Sequence, residues 1–219
     1  MEVVYEDNHI IVVSKRAGEI VQGDKTGDRP LVDFVKDYIK ETYAKPGNVF
    51  CGVVHRIDRP VSGLVIFART SKALTRLNEM LRRGDIRKSY LALVEGRPKT
   101  PAAELSDWLL SDGRLNKSRI VPEGTPDAKL CRLQYETVAE GDRYTLLRVT
   151  LLTGRKHQIR AQLSNMGNPI KGDLKYGARR SNPGGGISLQ AASLDFVHPV
   201  SKQPISLKDK PLPEFEKFL

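Results

Sequence analysis

The stretch VVHRIDRPVSGLVIFAR, residues 53–69, decides how the rest of the chain is read. Its second half, GLVIFAR, is a short apolar run entered through a glycine and reads as a buried strand. It is followed by TSKALTRLNEMLRRG, where Leu74, Leu77, Met80 and Leu81 recur at helical spacing. Thr70 or Ser71 can cap that helix over 71–83, and Gly84 can stop it. IRKSYLALVEG then returns to a strand, with Ile86, Lys88, Tyr90, Ala92 and Val94 on one face and Leu91 and Leu93 on the other. Strand, helix and strand therefore sit in one stretch, with a charged turn in front of them.

Working outward, VVY and HIIVVSK predict two short strands broken at Glu6, Asp7 and Asn8. A helix is expected from Pro30 to about Tyr43, with Leu31, Phe34, Val35, Tyr38 and Ile39 as its apolar stripe and Pro30 at a first helical position. From Pro98 to Asp127 turn residues and charge predict hairpins and loops. CRLQYETVAE and RYTLLRVTLL form an antiparallel pair joined through Glu140, Gly141 and Asp142. A third helix is expected near Arg155, with Ile159, Leu163 and Met166 inward and Gly167 and Pro169 ending it. YGARRSNPGGG reads as loop and ISLQAASLDFVH as the last strand. Strands and helices mix without regular βαβ alternation, which predicts an α+β fold with a mainly antiparallel sheet, flanked by helices and loops.

The chain has 219 residues and a mass of 24.5 kDa, a size for one large domain or two small ones; a single domain over 1–219 is the reading adopted. Cys51 and Cys131 lie far apart in no paired motif, so a disulfide framework is not expected and a reducing cytoplasm is the default. The first residues carry acids where a leader would carry bases, and no apolar run is long enough to span a bilayer. The net charge is +10 and the pI about 9.6, which points to a polyanion, nucleic acid first, as the partner.

Several chemistries are disfavoured. The histidines at 9, 55, 157 and 198 do not pair at ligand spacing with each other or with cysteine, so no metal is expected. There is no GxxxxGK[ST] loop and no GxGxxG after a strand; GNPIKGD, residues 167–173, is a turn. The nearest approach to a nucleophile-elbow serine is Val61-Ser62-Gly63, which lacks its flanking glycines. Asp58 remains, set between Arg56 and Arg59. Two flanking cations favour the ionised carboxylate, which suits a nucleophile or an electrostatic partner better than a general acid. A surface Arg–Asp pair at a turn, of little energetic weight, is the plainer explanation of the same residues.

Three blocks in order change that balance. HRIDRPVSGLVIFAR resembles the HRLDxxTSG signature of the RluA-type pseudouridine synthases. KSYLALVEG resembles their K-x-Y-x-A-x-V-x-G strand, and TGRKHQIRAQLSNMGNPIKGDLKYG resembles their TGRxHQIRxHxxxxGxPIxGDxxYG block. The resemblance implies a pseudouridine synthase fold with a central RNA-binding cleft, and the isomerisation of uridine to pseudouridine in structured RNA, ribosomal or transfer. It implies Asp58 as the catalytic aspartate, Tyr90 as the tyrosine against the base, and Arg160 as the arginine that pairs with the aspartate. Arg56 matches the residue that occupies the space left by the flipped nucleotide, and Leu189 an apolar contact under the base.

Residue chemistry fits such a task. A base in folded RNA is reachable only after flipping, at a cost of a few kcal/mol. Arginine can fill a vacated stack, and tyrosine can stack on uracil. An isomerisation needs no cofactor. Arg59, Arg155, Lys156, Lys171 and Lys175 are candidate RNA contacts, with Arg179 and Arg180 beside them; Arg155 and Lys156 would sit at a helix start, where amides favour anions. His157 is read as a structural hydrogen-bonding residue. The chain departs from the family pattern at Ile57, Val61, Gln162 and Gln190. It has no room before Asp58 for the S4 RNA-binding domain of many relatives, so a stand-alone catalytic domain is expected; a monomer is expected as well. A non-catalytic RNA-binding protein on the same fold, or an aspartate-nucleophile hydrolase of small acidic substrates, are the competing readings.

Overall fold

A computed structural model describes residues 1–219. The chain divides into two compact units, Met1–Arg87 with Ala191–Lys210, and Lys88–Gln190 with Pro211–Leu219.

In the first unit, strands β1 (Glu2–Glu6), β2 (Ile10–Lys15), β4 (Ser62–Ala68) and β10 (Leu189–Val197) lie in that order in the sheet, with short β3 (Gly52–Val53) on β4 and β11 (Pro204–Lys208) on β10. All seven residues of β4 are buried, which is why it reads as a continuous apolar run rather than an alternation. It pairs antiparallel with β2, placing Lys15 opposite Gly63. Gly63 has φ +113°, and a Cβ there would fall on the backbone N and O of Ala191, so both conformation and space demand glycine.

Helix α2 spans Ser71–Arg83, the expected limits: the Thr70 hydroxyl accepts from the Ala73 N–H at 3.2 Å, and Gly84 takes the left-handed conformation at its end. Ala73, Leu77 and Met80 pack on Ile10, Val12, Leu64, Ile66, Leu194 and Phe196. Helix α1 spans Leu31–Thr42. Pro30 occupies the cap position rather than the first helical one, and has no side chain to satisfy the free amides. The carbonyls of Ile20 and Val21 do this instead, accepting from Leu31 and Val32. The buried stripe is Leu31, Val32, Val35 and Ile39; Phe34 is exposed beneath the Arg29 guanidinium, 4.4 Å from its ring centroid. Strand β11 corrects the expectation that β10 is the last strand. PISLK is short and opens on a proline, and its alternation is confined to Ile205 and Leu207, both only half-buried.

The second unit is an antiparallel sheet in the order β5 (Arg87–Glu95), β9 (Tyr144–Leu151), β8 (Lys129–Glu140), β6 (Ala102–Asp112), β7 (Lys117–Val121). The region expected as hairpins and loops is one long hairpin, β6–β7, and its alternation is weak because much of β6 is half-exposed. Helix α3 covers Gln158–Asn165, starting three residues later than expected. His157 sits at φ +54°, which ends the preceding turn and leaves Arg155 and Lys156 ahead of the helix, not in its first turn. Every residue from Gln158 to Leu163 is buried, polar ones included, while Met166 is half-buried.

Candidate active site

The Asp58 loop belongs to the first unit. Ile57 and Val61 are buried on either side of half-buried Asp58, and the Val61 N–H closes a turn onto the Asp58 carbonyl at 3.0 Å. Beneath the loop lies Lys15, only 1% exposed. Its Nζ donates to the carbonyls of Arg16 (2.9 Å), Glu19 (2.8 Å) and Arg59 (3.1 Å), which uses all three ammonium protons. Burial pulls the Lys15 pKa down to about 8, against the opposing pull of Glu19 and Asp58. The ammonium that ties the loop and feels the Asp58 charge is thus Lys15, which the sequence reading did not single out.

The two arginines beside Asp58 are not equivalent. Arg59 donates from Nη1 to Asp28 Oδ2 (2.6 Å) and from Nη2 to Thr26 Oγ1 (2.7 Å), with Asp24 at 3.6 Å. It pins the 24–28 loop, and this hydrogen bonding lowers the Asp28 pKa. Arg56 is exposed. His55 Nε2 accepts from the Ile66 N–H at 3.1 Å, which fastens the loop to β4.

In the second unit, Tyr90 sits mid-β5, paired with Val149 and 6% exposed. Lys88, two residues earlier on the same face, is half-buried, and burial lowers its pKa. Leu189, at the start of β10, is buried. Arg160 is held as a fork, with Nε on Asp173 Oδ2 at 2.6 Å and Nη2 on Asp173 Oδ1 at 2.8 Å, the two side chains 5% and 2% exposed. Its guanidinium lies 4.8 Å from the Tyr176 ring centroid. The Tyr176 hydroxyl accepts from the Ser118 N–H at 2.8 Å and meets His157 Nδ1 at 2.9 Å. His157 therefore has the hydrogen-bonding place expected of it. Asp173 and Tyr176 come from GDLKYG, a segment noted for its pattern and given no role; nothing in the local sequence names Arg160 as their partner.

The remaining basic candidates are exposed or half-exposed. Arg155 donates from Nε to the Leu130 carbonyl, and the Lys156 carbonyl accepts from the Ser118 hydroxyl. Lys171 bonds Glu214 at 3.0 Å and Lys175 the Asn116 carbonyl at 3.2 Å. No group of three or more His, Cys, Asp or Glu side chains is gathered in a way that could hold a metal. No helix is long and apolar enough to cross a membrane.

The fold is that of the pseudouridine synthases. Human RNA Pseudouridylate Synthase Domain Containing 4 superposes with a TM-score of 0.82 at 20% identity, over 100% of this chain and 91% of that one. Human RNA Pseudouridylate Synthase Domain Containing 1 gives 0.76 at 23%, over 99% and 86%. Residues 9–165 match the family described as RNA pseudouridylate synthase, and the chain belongs to that family, whose members are isomerases. Among curated relatives, ribosomal large subunit pseudouridine synthase C of Vibrio vulnificus is 29% identical over 99% of this chain and 68% of its own length. Its Vibrio cholerae counterpart is 31% identical over 94% and 64%. Ribosomal large subunit pseudouridine synthase D of Xanthomonas campestris is 32% identical over 98% and 66%. The chain thus spans about two thirds of the length of these relatives.

Proposed function

We propose that the protein isomerises uridine to pseudouridine in large-subunit ribosomal RNA, in the cytoplasm, as a monomer and without a cofactor. The observation that carries the reading is that the family match, residues 9–165, contains Asp58, Tyr90 and Arg160 together. The substrate is taken from the names of the relatives, which align over nearly the whole chain.

In the proposed reaction the target nucleotide is flipped out and Arg56 fills the vacated stack. Asp58 is the catalytic carboxylate. The bond from the sugar C1′ to uracil N1 breaks, a bond from C1′ to C5 forms, C5 loses a proton and N1 gains one, so the balance is that of an isomerisation. Tyr90 packs on the uracil face above Leu189, and Arg160 supplies the positive charge that the family resemblance pairs with the aspartate. Two features of the chain support these roles. Lys15 fixes the backbone next to Asp58, so the carboxylate is carried on a braced loop. Asp173 fixes Arg160 through a two-point fork, so the guanidinium is oriented before substrate arrives.

The test is a pseudouridine map of ribosomal and transfer RNA with and without the gene, repeated with Asp58→Asn. One or more large-subunit sites should disappear in both, while Asp58→Asn still binds RNA. Sites lost only from transfer RNA would move the substrate. Modification retained in Asp58→Asn would refute the mechanism.

A further inference from the structure

The second unit carries a cleft of about 910 Å³ that the catalytic residues do not line. Its walls hold Arg97, Arg143, Arg179 and Arg180, against two carboxylates, Glu95 and Asp142, with Tyr144 and Asn168 also lining it. All four arginines are exposed. Glu95 is already engaged, accepting from the Arg179 N–H at 2.9 Å, and Arg97 Nε reaches Glu140 at 3.3 Å. Arg143 and Arg180 make no ion pair. The floor is stiff: Asn168, 7% exposed, donates from its side chain to the Glu95 carbonyl, and the Glu95 and Gly96 amides donate to Pro169 and Arg143 carbonyls.

We propose that this cleft is a second RNA subsite, which grips the phosphodiester backbone of the strand flanking the target uridine. The proposal rests on the reading of RNA as substrate. Three observations carry it. The charge is that of a polyanion site, with the surplus on exposed side chains around a hydrogen-bonded floor. The volume, near the upper end of the roughly 300–1,000 Å³ of small-molecule pockets, exceeds what a single phosphate needs. The position is within reach: Tyr90 and Glu95 lie on the same strand five residues apart, about 16 Å at ~3.3 Å per residue, and since the odd spacing puts them on opposite faces, the bound strand rounds the end of β5. Single-stranded tracks of ~4–16 nucleotides per module easily cover that span. Tyr144 adds an aromatic face beside the arginines, a combination suited to unpaired bases, though Lys171 already stands 5.9 Å from its ring centroid.

The experiment compares wild type, Arg143→Ala/Arg180→Ala, and Lys40→Ala/Arg82→Ala, a pair with the same charge loss on exposed helix positions of the first unit. Binding is measured by anisotropy with labelled polyuridine of about 16 nucleotides over a range of salt. Turnover is measured on large-subunit ribosomal RNA. The cleft pair should weaken binding on the order of 10-fold and lower the salt slope by about 1.4, or ~0.7 for each lost phosphate contact. It should raise KM far more than it changes kcat. Equal losses in both pairs would reduce the effect to general charge and overturn the proposal, as would no loss in the cleft pair. A wild type that binds polyuridine through the cleft but forms no pseudouridine would refute the enzymatic reading and leave the subsite standing.

Discussion

Replacing Asp173 with alanine strips Arg160 of both oxygens of its fork while leaving its charge in place. The guanidinium and the carboxylate are 5% and 2% exposed, so solvent cannot take over for the lost partner. Removing one member of a buried pair typically costs about 3–5 kcal/mol, because the survivor stays buried and loses both hydrogen bonds of the fork. The Tyr176 face, 4.8 Å away, returns only ~0.5–2 kcal/mol of that. With a urea m-value near ~3 kcal/mol/M, the unfolding midpoint should fall by roughly 0.3–1.5 M. In Arg160→Met/Asp173→Leu neither charge remains, and the double variant should be more stable than Asp173→Ala alone. Both should lose turnover, since one misorients the guanidinium and the other lacks it. The paired measurements are urea unfolding and initial rates of pseudouridine formation. An Asp173→Ala protein within ~1 kcal/mol of wild type and with unchanged kcat would show that the fork neither holds the fold nor positions Arg160.

Two further perturbations probe the Asp58 loop. The Lys15 pKa is lowered from the ordinary lysine value of 10.5 to about 8 in the folded state, so between those values the unfolded chain binds more protons. Stability should therefore rise as pH increases from about 8 to 10.5, by up to ~3 kcal/mol from this group; urea midpoints at pH 8 and 10 measure it, and Lys15→Met should remove this component of the rise. Gly63→Ala places a Cβ on the Ala191 backbone at φ +113°, and should cost at least ~3 kcal/mol in thermal unfolding. A melt within a degree or two of wild type would mean that the strand can shift.

What was legible in the sequence was mostly local. Helix α2 is placed to the residue because Thr70 and Gly84 act on their own backbone neighbours. The α+β class followed from the same local alternations of period. Some errors came from partners distant in sequence, others from local geometry. Arg59 beside Asp58 looks like half of a charge sandwich until the 24–28 loop, some thirty residues upstream, supplies its carboxylates. Phe34 fits a helical stripe, yet Arg29 gives it an exposed place. Helix α3 starts late because His157 is left-handed, a strain that composition does not reveal. Lys15 ends an apolar strand as an ordinary lysine would, and only the fold shows three carbonyls converging on it.

The first unit is interrupted in sequence: it breaks off at Arg87 and resumes at Ala191. During synthesis 103 residues, 88 to 190, must be added before β10 can close against β4. At ~5–20 residues per second this takes about 5–20 s. Throughout that interval SGLVIFA, buried along its whole length in the finished protein, waits with one edge covered only by β3, at Phe67 and Ala68. A nascent chain of this protein is therefore most exposed to aggregation, and most in need of a holding chaperone, midway through its own translation rather than at the end.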